Sequence, residues 1–325
     1  MIRTAFRYGL FLCANLVSFH VPICGAGEQN QPSLAVRQVL DLQRDGANEL
    51  AFSAATRELF VSHPAEDQKL YQWNIATKKL IHAYSCPQRN ARWSDMAVSP
   101  DGTLLIASTY PLGDPSRKSQ VFFIDTRTHQ VGYTAEYEHL VRGIRFDRSG
   151  RFIWITTTYP GADQFVYGRD GTKHTDYKPT DFEPETRNRL WDVQGSKGGP
   201  PPGLFYRDTR AVVHQLTKNP LNQDYALTVD GTYIGTATWD QRVRVWRTSD
   251  LQEVFNKVMG AHPVRLIYDP KENQFLVLDG VDGHTFLSAV ALPSHTNNGQ
   301  PDDAANGIQP FGSKSKPTSS AGSRH

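Results

Sequence analysis

The sequence predicts an all-β fold assembled from repeated antiparallel units. Aromatic residues make up 11% of the chain, which also contains 25 Gly and 20 Pro, and this mixture favours many short strands joined by tight turns. A strand–turn–strand pattern recurs along the chain, and a third strand follows it in several places. Long tracts of helix-forming residues are missing, so we expect strands to form the whole folded body.

The repeat consists of five twelve-residue segments that align without gaps. They begin at Ala51, Ala97, Arg145, Ala226 and Ile267. Several of their turns carry Pro where a fixed φ is needed and Asp-Gly or Ser-Gly where a positive φ is needed. The segments follow one another at roughly 40–50 residues, a spacing typical of repeat folds. The interval from 145 to 226 is about twice as long, which indicates a degenerate unit inside it.

Further strands follow the strand–turn–strand pair in several units. Leu70–Leu80 aligns position by position with Val121–Val131, and Val243–Thr248 repeats the first half of that pattern. A polar turn in the middle of the pattern leads into a fourth, outer strand. Four antiparallel strands in roughly 40 to 45 residues are typical of one blade of a β-propeller. The sequence therefore predicts a single propeller over residues 34–293.

One segment resembles a known repeat family. Tyr233–Trp246 resembles the second and third strands of the WD-repeat (WD40-like) family, with the turn residue Asp240 six positions before the strand residue Trp246. Asp67 and Trp73 have the same spacing. In that family the Asp joins a hydrogen-bonded network with a Ser or Thr, a His and the Trp. The resemblance implies a structural network whose members here are Thr238, Asp240, Trp246, Asp67, Trp73 and His262.

The number of blades depends on how residues 157–215 are divided. In one division, Gln164–Gly168 and Lys173–Tyr177 complete the third blade and Asn188–Leu216 forms a fourth. In the other, Arg189–Val193 is a third strand that follows a long insertion. We expect six blades, with seven as the alternative because seven is the commonest number in the family.

The two ends of the propeller region are expected to meet. Leu34–Leu42 has the pattern of a lone strand, whereas the last unit supplies only three strands before Pro293. The N-terminal strand can complete the final blade, which removes an exposed edge and closes the ring. Residues 294–325 are rich in Ser, Asn, Gly, Lys and Pro and are expected to be a disordered tail.

The first 26 residues have the pattern of a signal peptide. A short basic start precedes a mostly apolar run, and Cys24 and Ala26 are the small residues of a cleavage site before Gly27. Residues 27–33 are then a short linker. A retained signal anchor and a lipoprotein attached through Cys24 remain alternatives. We expect an extracytoplasmic protein, periplasmic or secreted, with no integral membrane span after cleavage.

Charge and cysteine usage narrow the class of partner. Loss of Arg3 and Arg7 with the leader would make the mature chain formally neutral. A neutral chain lacks the field that concentrates nucleic acid or an anionic membrane, so neither is expected as a partner. Cys86 would be the single remaining cysteine, which excludes a disulfide within the mature chain.

No established catalytic, cofactor-binding or metal-binding motif occurs in the chain, so no catalytic residue, cofactor or metal is predicted. The family resemblance places Trp93 and Trp239 near the rim of the propeller's top face, where proteins or peptides bind. The alternative is that both rings pack between blades. Weaker candidates for the same partner-binding face are Arg92, Arg142, His63, Tyr110 and Tyr159.

Two functions follow from these patterns. The first is a non-catalytic, exported interaction or scaffolding module that holds a protein or peptide. The alternative is a propeller enzyme or cofactor-dependent dehydrogenase-like protein with a metal or quinone in its central channel. Enzymes built on propellers draw their site residues from several blades, so local motifs do not separate the two.

Overall fold

The computed structural model describes fourteen stretches of the chain, and the strands lie within them. The stretches are 34–43, 46–47, 49–63, 68–112, 118–147, 149–157, 163–176, 191–194, 203–206, 212–215, 222–238, 240–260, 265–281 and 284–293. Over these residues the regular structure is entirely β, in agreement with the predicted class. The expected leader (1–26), linker (27–33) and tail (294–325) lie outside them.

The strands group into antiparallel sheets, which we number in chain order. After β1 (Val36–Asp41), sheet 1 contains β2 (Glu49–Ser53), β3 (Glu58–His63), β4 (Lys69–Asn74) and β5 (Lys79–Tyr84). Sheet 2 contains β6 (Ala91–Val98), β7 (Leu104–Pro111), β8 (Ser119–Asp125) and β9 (Val131–Tyr137). Sheet 3 contains β10 (Val141–Phe146), β11 (Phe152–Thr157), β12 (Gln164–Gly168) and β13 (Lys173–His174).

The remaining strands form three more sheets within the described residues. Sheet 4 contains β14 (Trp191–Gln194), β15 (Gly203–Tyr206) and β16 (Val212–Gln215). Sheet 5 contains β17 (Asn222–Leu227), β18 (Tyr233–Thr238), β19 (Arg242–Arg247) and β20 (Glu253–Val258). Sheet 6 contains β21 (Arg265–Asp269), β22 (Gln274–Val281) and β23 (His284–Ala291), and β1 is its fourth strand.

The described strands between residues 157 and 215 agree with the first of the two predicted divisions. Strands β12 and β13 pair onto β11 and complete sheet 3. Strand β14 then begins a separate sheet by pairing with β15. The second division, which made Arg189–Val193 a third strand after an insertion, is wrong because β10 and β11 already have β12 as their third strand.

The first described strand pairs with the last described strand. β1 runs antiparallel to β23, with Val36 opposite Val290 and Asp41 opposite Phe286. Leu40 is only 4% exposed and belongs to a core cluster that also includes Leu276 and Leu287. The predicted pairing of the two chain ends is therefore present, and apolar burial stabilises it.

The core lies between the sheets, so the second and third strands are covered on both faces. Leu59, Phe60 and Val61 are consecutive in β3 and are all fully buried, which a sheet with one solvent-facing side does not allow. The fourth strands β5 and β9 are largely exposed. Burial is therefore greatest in the second and third strands and lower in these fourth strands.

The turns between first and second strands have the predicted chemistry. Gly102, Gly150 and Gly231 have φ of +75°, +69° and +68°, the left-handed conformation that glycine adopts at little cost. In the turn of sheet 2, the Ser99 hydroxyl donates to Asp101 at 2.6 Å, and Asp101 also accepts from the backbone N–H of Thr103 at 3.1 Å. Thr228 and Asp230 repeat the first contact at 2.6 Å in sheet 5.

The first strands of neighbouring sheets lie next to one another. In the described residues β10 lies beside β6, β6 beside β2, β2 beside β21, and β21 beside β17. The first and last sheets are also joined at their turns, where Arg57 forms an ion pair with the buried Asp269 at 2.7 Å. These five first strands therefore form a continuous row of neighbours, and we call them the inner strands.

Candidate functional site

Charged side chains occur at one repeated position of the inner strands. Two residues before each aligned twelve-residue segment, the chain has Glu49, Asp95, Gly143, Asp224 and Arg265. Equivalent residues of neighbouring inner strands lie close together because these strands are side by side. Three acids and one arginine are thus brought to the same region from four sheets.

Arg265 is the centre of this charged cluster. Its guanidinium forms an ion pair with Glu49 of sheet 1 and lies 3.8 Å from Asp95 of sheet 2 and 3.7 Å from Asp224 of sheet 5. The Arg265 side chain is 17% exposed, and burial lowers its pKa to about 10, so it stays protonated at neutral pH. One cation therefore links the inner strands of sheets 1, 2, 5 and 6.

The two aspartates also link neighbouring sheets through the backbone. Asp95 accepts a hydrogen bond from the N–H of Ile144 in sheet 3 at 2.8 Å. Asp224 accepts one from the N–H of Leu266 in sheet 6 at 3.0 Å. The pairing register shifts just before Met96 and Asp224, so an irregularity accompanies the aspartate in both inner strands.

Asp95 has an altered protonation equilibrium. Burial raises its pKa to about 7, although the N–H groups of Met96 and Ile144 and the charge of Arg145 act in the opposite direction. Asp224 adds to the rise by like-charge repulsion. The carboxyl of Asp95 therefore gains and loses its proton near neutral pH.

A cavity of about 270 Å³ opens beside the cluster. Its residues come from sheets 1, 2, 3 and 6 and from the chain just before β10. They are Glu49, Arg92, Ser94, Asp95, Tyr110, Leu140, Val141, Arg142 and Arg265. Glu49 and Val141 are buried, whereas Arg92, Tyr110 and Arg142 are exposed and form the cavity rim.

The cavity rim is positively charged. Arg92 lies opposite Tyr110 in the β6–β7 pairing, and its guanidinium carbon is 5.2 Å from the centre of the Tyr110 ring, a cation–π contact. Neither Arg92 nor Arg142 forms an ion pair with any described residue, unlike Arg265. The cavity therefore has two uncompensated cations outside and a paired cluster inside.

The structure brings together some of the residues that the sequence singled out. Arg92, Tyr110 and Arg142 lie on the cavity rim. Trp239 and Tyr159 lie outside the described residues.

Trp93 and His63 do not lie on this face, and for Trp93 the structure shows the alternative, a ring packed between sheets 1 and 2. Trp93 is 0% exposed and contacts Phe122 edge-on, with ring centres 5.8 Å apart. Successive residues of a strand point to opposite sides, so Trp93 turns into the core while its neighbour Arg92 faces outward. His63 is also 0% exposed and packs edge-on against Tyr71 at 5.4 Å.

The implied Thr–Asp–Trp network is present only in part. Thr238 donates to Asp240 at 2.5 Å, and Arg244 donates to Thr238 at 2.7 Å and pairs with Asp240. The indole N–H of Trp246 is buried and has no hydrogen-bond partner among the described residues. Trp246 is opposite Ile234, whereas Thr238 is opposite Arg242, so four residues of strand, roughly 13 Å, separate it from Thr238. Arg244 replaces it in the network.

The tryptophan of the second predicted copy of that network is in the same situation as Trp246. The indole N–H of Trp73 is buried without a hydrogen-bond partner in the described part of the chain. Asp67 and His262 lie outside the described residues.

The charged cluster is the feature that the sequence patterns missed. The signal was available, because the five residues precede the aligned segments by the same two positions. It was not apparent because Glu, Asp, Gly, Asp and Arg share no chemical type. They act together only as complementary charges once the inner strands are side by side.

Two further findings concern the described residues alone. Within them, no three His, Cys, Asp or Glu side chains are grouped so that they could hold a metal ion. No helix in the same residues has the length and apolarity that crossing a membrane requires.

Comparison with known proteins shows the fold. No protein-family model and no curated protein sequence matches the chain. A chain in the crystal structure of a mitotic checkpoint complex is similar, with a TM-score of 0.53 and 11% identity, covering 86% of this chain and 100% of that one. The structure of U3-55K has a TM-score of 0.55 and 12% identity, covering 79% of this chain and 98% of that one. At these identities the likeness concerns the fold, which is WD40-like.

Proposed function

We propose that this chain is an exported, non-catalytic interaction module, a closed ring of six blades that holds a protein partner at its cavity rim. The observation that carries the proposal is the grouping of Arg92, Tyr110 and Arg142 around one cavity. Tyr and Arg are among the residue types that contribute most binding energy at protein interfaces. The solved structure of a mitotic checkpoint complex, which contains a chain of similar fold, is that of a protein assembly.

A rigid scaffold beneath the rim supports the same function. Arg265 links the inner strands of four sheets, and Asp95 links sheet 2 to the backbone of sheet 3. These contacts hold the strands that carry Arg92 and Arg142 in fixed positions. A preorganised surface loses less conformational entropy on binding, which favours affinity.

The charged groups inside the cavity are arranged for stability rather than for proton transfer. Asp95 titrates near neutrality, yet its carboxylate accepts the Ile144 N–H at 2.8 Å and lies 3.8 Å from Arg265. Glu49 is paired with Arg265. These contacts favour a structural role for both acids, and the interaction function over the enzymatic alternative.

The partner-binding proposal is tested by cross-linking. The chain from Gly27 onward, carrying a cross-linker on an added tag, would be incubated with an envelope extract of the source cells. We expect a discrete protein adduct that is lost in the Arg92→Glu/Arg142→Glu variant. It should persist in the Arg127→Glu variant, because Arg127 is exposed at the opposite end of sheet 2. Adducts that do not differ between the variants would contradict the proposal.

The enzymatic alternative has its own test. Purified chain would be examined by elemental analysis and by absorbance spectroscopy for a bound metal or quinone. Detection of a stoichiometric metal or a chromophore would support the enzymatic function and contradict the interaction function.

Export is tested by measuring the mass and the location of the expressed chain. The proposal expects the chain expressed with its leader in a bacterial host to be recovered outside the cytoplasm with the mass of residues 27–325. Replacing Ala26 with Arg should abolish cleavage, because the site requires a small residue. Full-length chain in the cytoplasm of the host would contradict export.

A further inference from the structure

We propose that the cavity is a carboxylate-binding site, which takes an acidic side chain or the terminal carboxylate of a peptide segment of the partner. This inference rests on the proposed function and specifies the partner's chemistry. The rim supplies two guanidinium groups, Arg92 and Arg142, neither of which is paired with an acid among the described residues. Guanidinium groups bind carboxylates through parallel N–H donors, with stronger hydrogen bonds than neutral groups form.

A further unsatisfied donor belongs to a residue of the same cavity. The Nε–H of Arg265 is buried and has no hydrogen-bond partner among the described residues, although the two terminal nitrogens of the same guanidinium face Glu49, Asp95 and Asp224. A buried donor without an acceptor is costly. Because this nitrogen is itself covered by protein atoms, the guanidinium donors open to a ligand are those of the exposed Arg92 and Arg142.

The stacking of Arg92 on Tyr110 prepares this site. The guanidinium carbon is 5.2 Å from the ring centre, so contact with the ring restricts the side chain. An arginine that is already ordered loses less side-chain entropy when it binds an acid. The rim thus combines charge with a fixed orientation.

The size of the cavity is sufficient for a single side chain or chain end. Its volume of about 270 Å³ lies at the lower end of the range typical of ligand pockets, roughly 300–1,000 Å³. An acidic residue projecting from a peptide is of suitable size, and the rest of the peptide would lie across the rim.

The interior charges favour a carboxylate over a phosphate. Glu49 and Asp95 line the cavity together with Arg265, which is already shared among three acids. The lining residues Arg92, Arg142 and Arg265 carry three positive formal charges, and Glu49 and Asp95 carry two negative ones. A monoanion therefore neutralises the cavity, whereas a dianion would leave it with an excess of negative charge in a partly desolvated site.

The experiment is a peptide selection with the purified chain from Gly27 onward. A random peptide library would be presented in two formats, one with the peptide internal and one with a free C-terminus. We expect enrichment of Asp or Glu at one position in the first format if a side chain binds, or enrichment only in the second if the terminal carboxylate binds. Either result supports a carboxylate site, and the formats distinguish the two sources.

The variants test whether the rim is responsible. For a selected peptide, Arg92→Gln and Arg142→Gln should each weaken binding by about tenfold, the loss expected for one charge-assisted hydrogen bond. Arg127→Gln and Arg151→Gln are matched controls, since both are exposed arginines of sheets 2 and 3 at the opposite ends of the strands. They should leave affinity unchanged, and Arg142→Glu should shift the selection toward Lys and Arg. Equal urea midpoints would establish that all variants are folded.

Several outcomes would overturn the inference. Selected peptides without an acidic group, acidic peptides that bind the rim variants equally well, or a preference for phosphoserine over Glu would each do so. These outcomes would leave the interaction function in place. Selection of no peptide would also overturn the carboxylate site, and the cross-linking experiment would then decide independently whether the interaction function fails as well.

Discussion

At the scale of single residues, Arg265 holds the charged cluster together. It compensates Glu49, Asp95 and Asp224, which come from three different sheets. Buried acids without a compensating cation would repel one another and would lack the solvation that water provides. The positive charge of Arg265 therefore offsets the repulsion among the acids at equivalent positions of neighbouring inner strands.

We predict that Arg265→Gln lowers the free energy of unfolding by about 3 kcal/mol, the lower end of the range for breaking a buried ion pair. Urea unfolding followed by tryptophan fluorescence measures this value. Arg127→Gln, at an exposed position, should change it by less than about 0.5 kcal/mol. The Glu49→Gln/Arg265→Gln variant should lose less than the two single losses combined, and additive losses would show that the two residues are not coupled.

Asp95 should make stability depend on pH. Its pKa is raised from an ordinary value of 3.8 to about 7, so between these values the folded chain holds the proton more tightly than the unfolded chain. The free energy of unfolding should therefore fall as pH rises through that window. The charged groups around Asp95 are Glu49, Asp224, Arg145 and Arg265.

The measurement is urea unfolding at a series of pH values from 5 to 8 in the wild type and in Asp95→Asn. We expect the free energy of unfolding to depend less on pH in the variant, which cannot ionise at this position. Between pH 5 and pH 8 this free energy should therefore fall less in the variant than in the wild type. A profile of the same slope in both proteins would contradict the assignment to Asp95.

At the scale of elements, the turns decide how closely neighbouring sheets approach. Gly102 has φ of +75°, and a Cβ at this position would be 2.6 Å from the Thr56 hydroxyl and 2.7 Å from the Ser53 hydroxyl of sheet 1. The glycine thus meets two requirements, the left-handed backbone and the close contact with the adjacent sheet.

We predict that Gly102→Ala destabilises the chain by about 2 kcal/mol, because positive φ and overpacking act together. Gly132→Ala is the matched control in the same sheet, where a Cβ would have its nearest neighbour at 3.9 Å and φ is not positive. It should be neutral or slightly stabilising, since alanine reduces the entropy of the unfolded chain. Thermal melting of both variants tests the contrast, and equal melting temperatures would contradict it.

The strands themselves differ by their place in the sheet. Second and third strands such as β3 are buried on both faces, whereas Leu80 of β5 and Val131 of β9 are 44% and 45% exposed. An exposed outer strand is an edge that other chains can pair with. Lys78 and Lys79 at the start of β5 place charge on that edge, which is one way natural sheets limit aggregation.

At the scale of the whole molecule, the first and last described strands are joined within one sheet. β1 completes sheet 6, whose inner strand β21 lies beside β2 of sheet 1. Residues separated by nearly the whole described chain are thereby held together. If the sheets form one ring, this sheet fastens it and the molecule should unfold as a unit.

We predict that Leu40→Ala lowers the free energy of unfolding by about 2–5 kcal/mol, as for other buried leucines, and shifts a single cooperative transition. Gln38→Ala, on the exposed side of the same strand, should change it by less than about 0.5 kcal/mol. Circular dichroism and fluorescence should report coincident transitions. An early, separate transition confined to Leu40→Ala would show that β1 is only peripherally attached.

The sequence by itself determined the strands and their turns. Alternating and apolar runs, Asp-Gly and Ser-Gly turns and a regular spacing are local properties, and the structure has β2, β6, β10, β17 and β21 where the aligned segments predict inner strands. The pairing of β1 with β23 was also predictable, because a three-stranded last unit and a lone first strand leave one way to satisfy both edges.

Only the tertiary structure decided which side chains meet. The sequence left two places open for Trp93, the binding face or the space between blades, and the structure buries it between sheets. Arg92 beside it lines the cavity, since the pleat of one strand separates neighbours by face. Arg265 meets Glu49, Asp95 and Asp224 across distances of up to 216 positions in the chain. Such contacts depend on how sheets are arranged around one another, and no local pattern of residue types encodes the pairing of charges from different repeats.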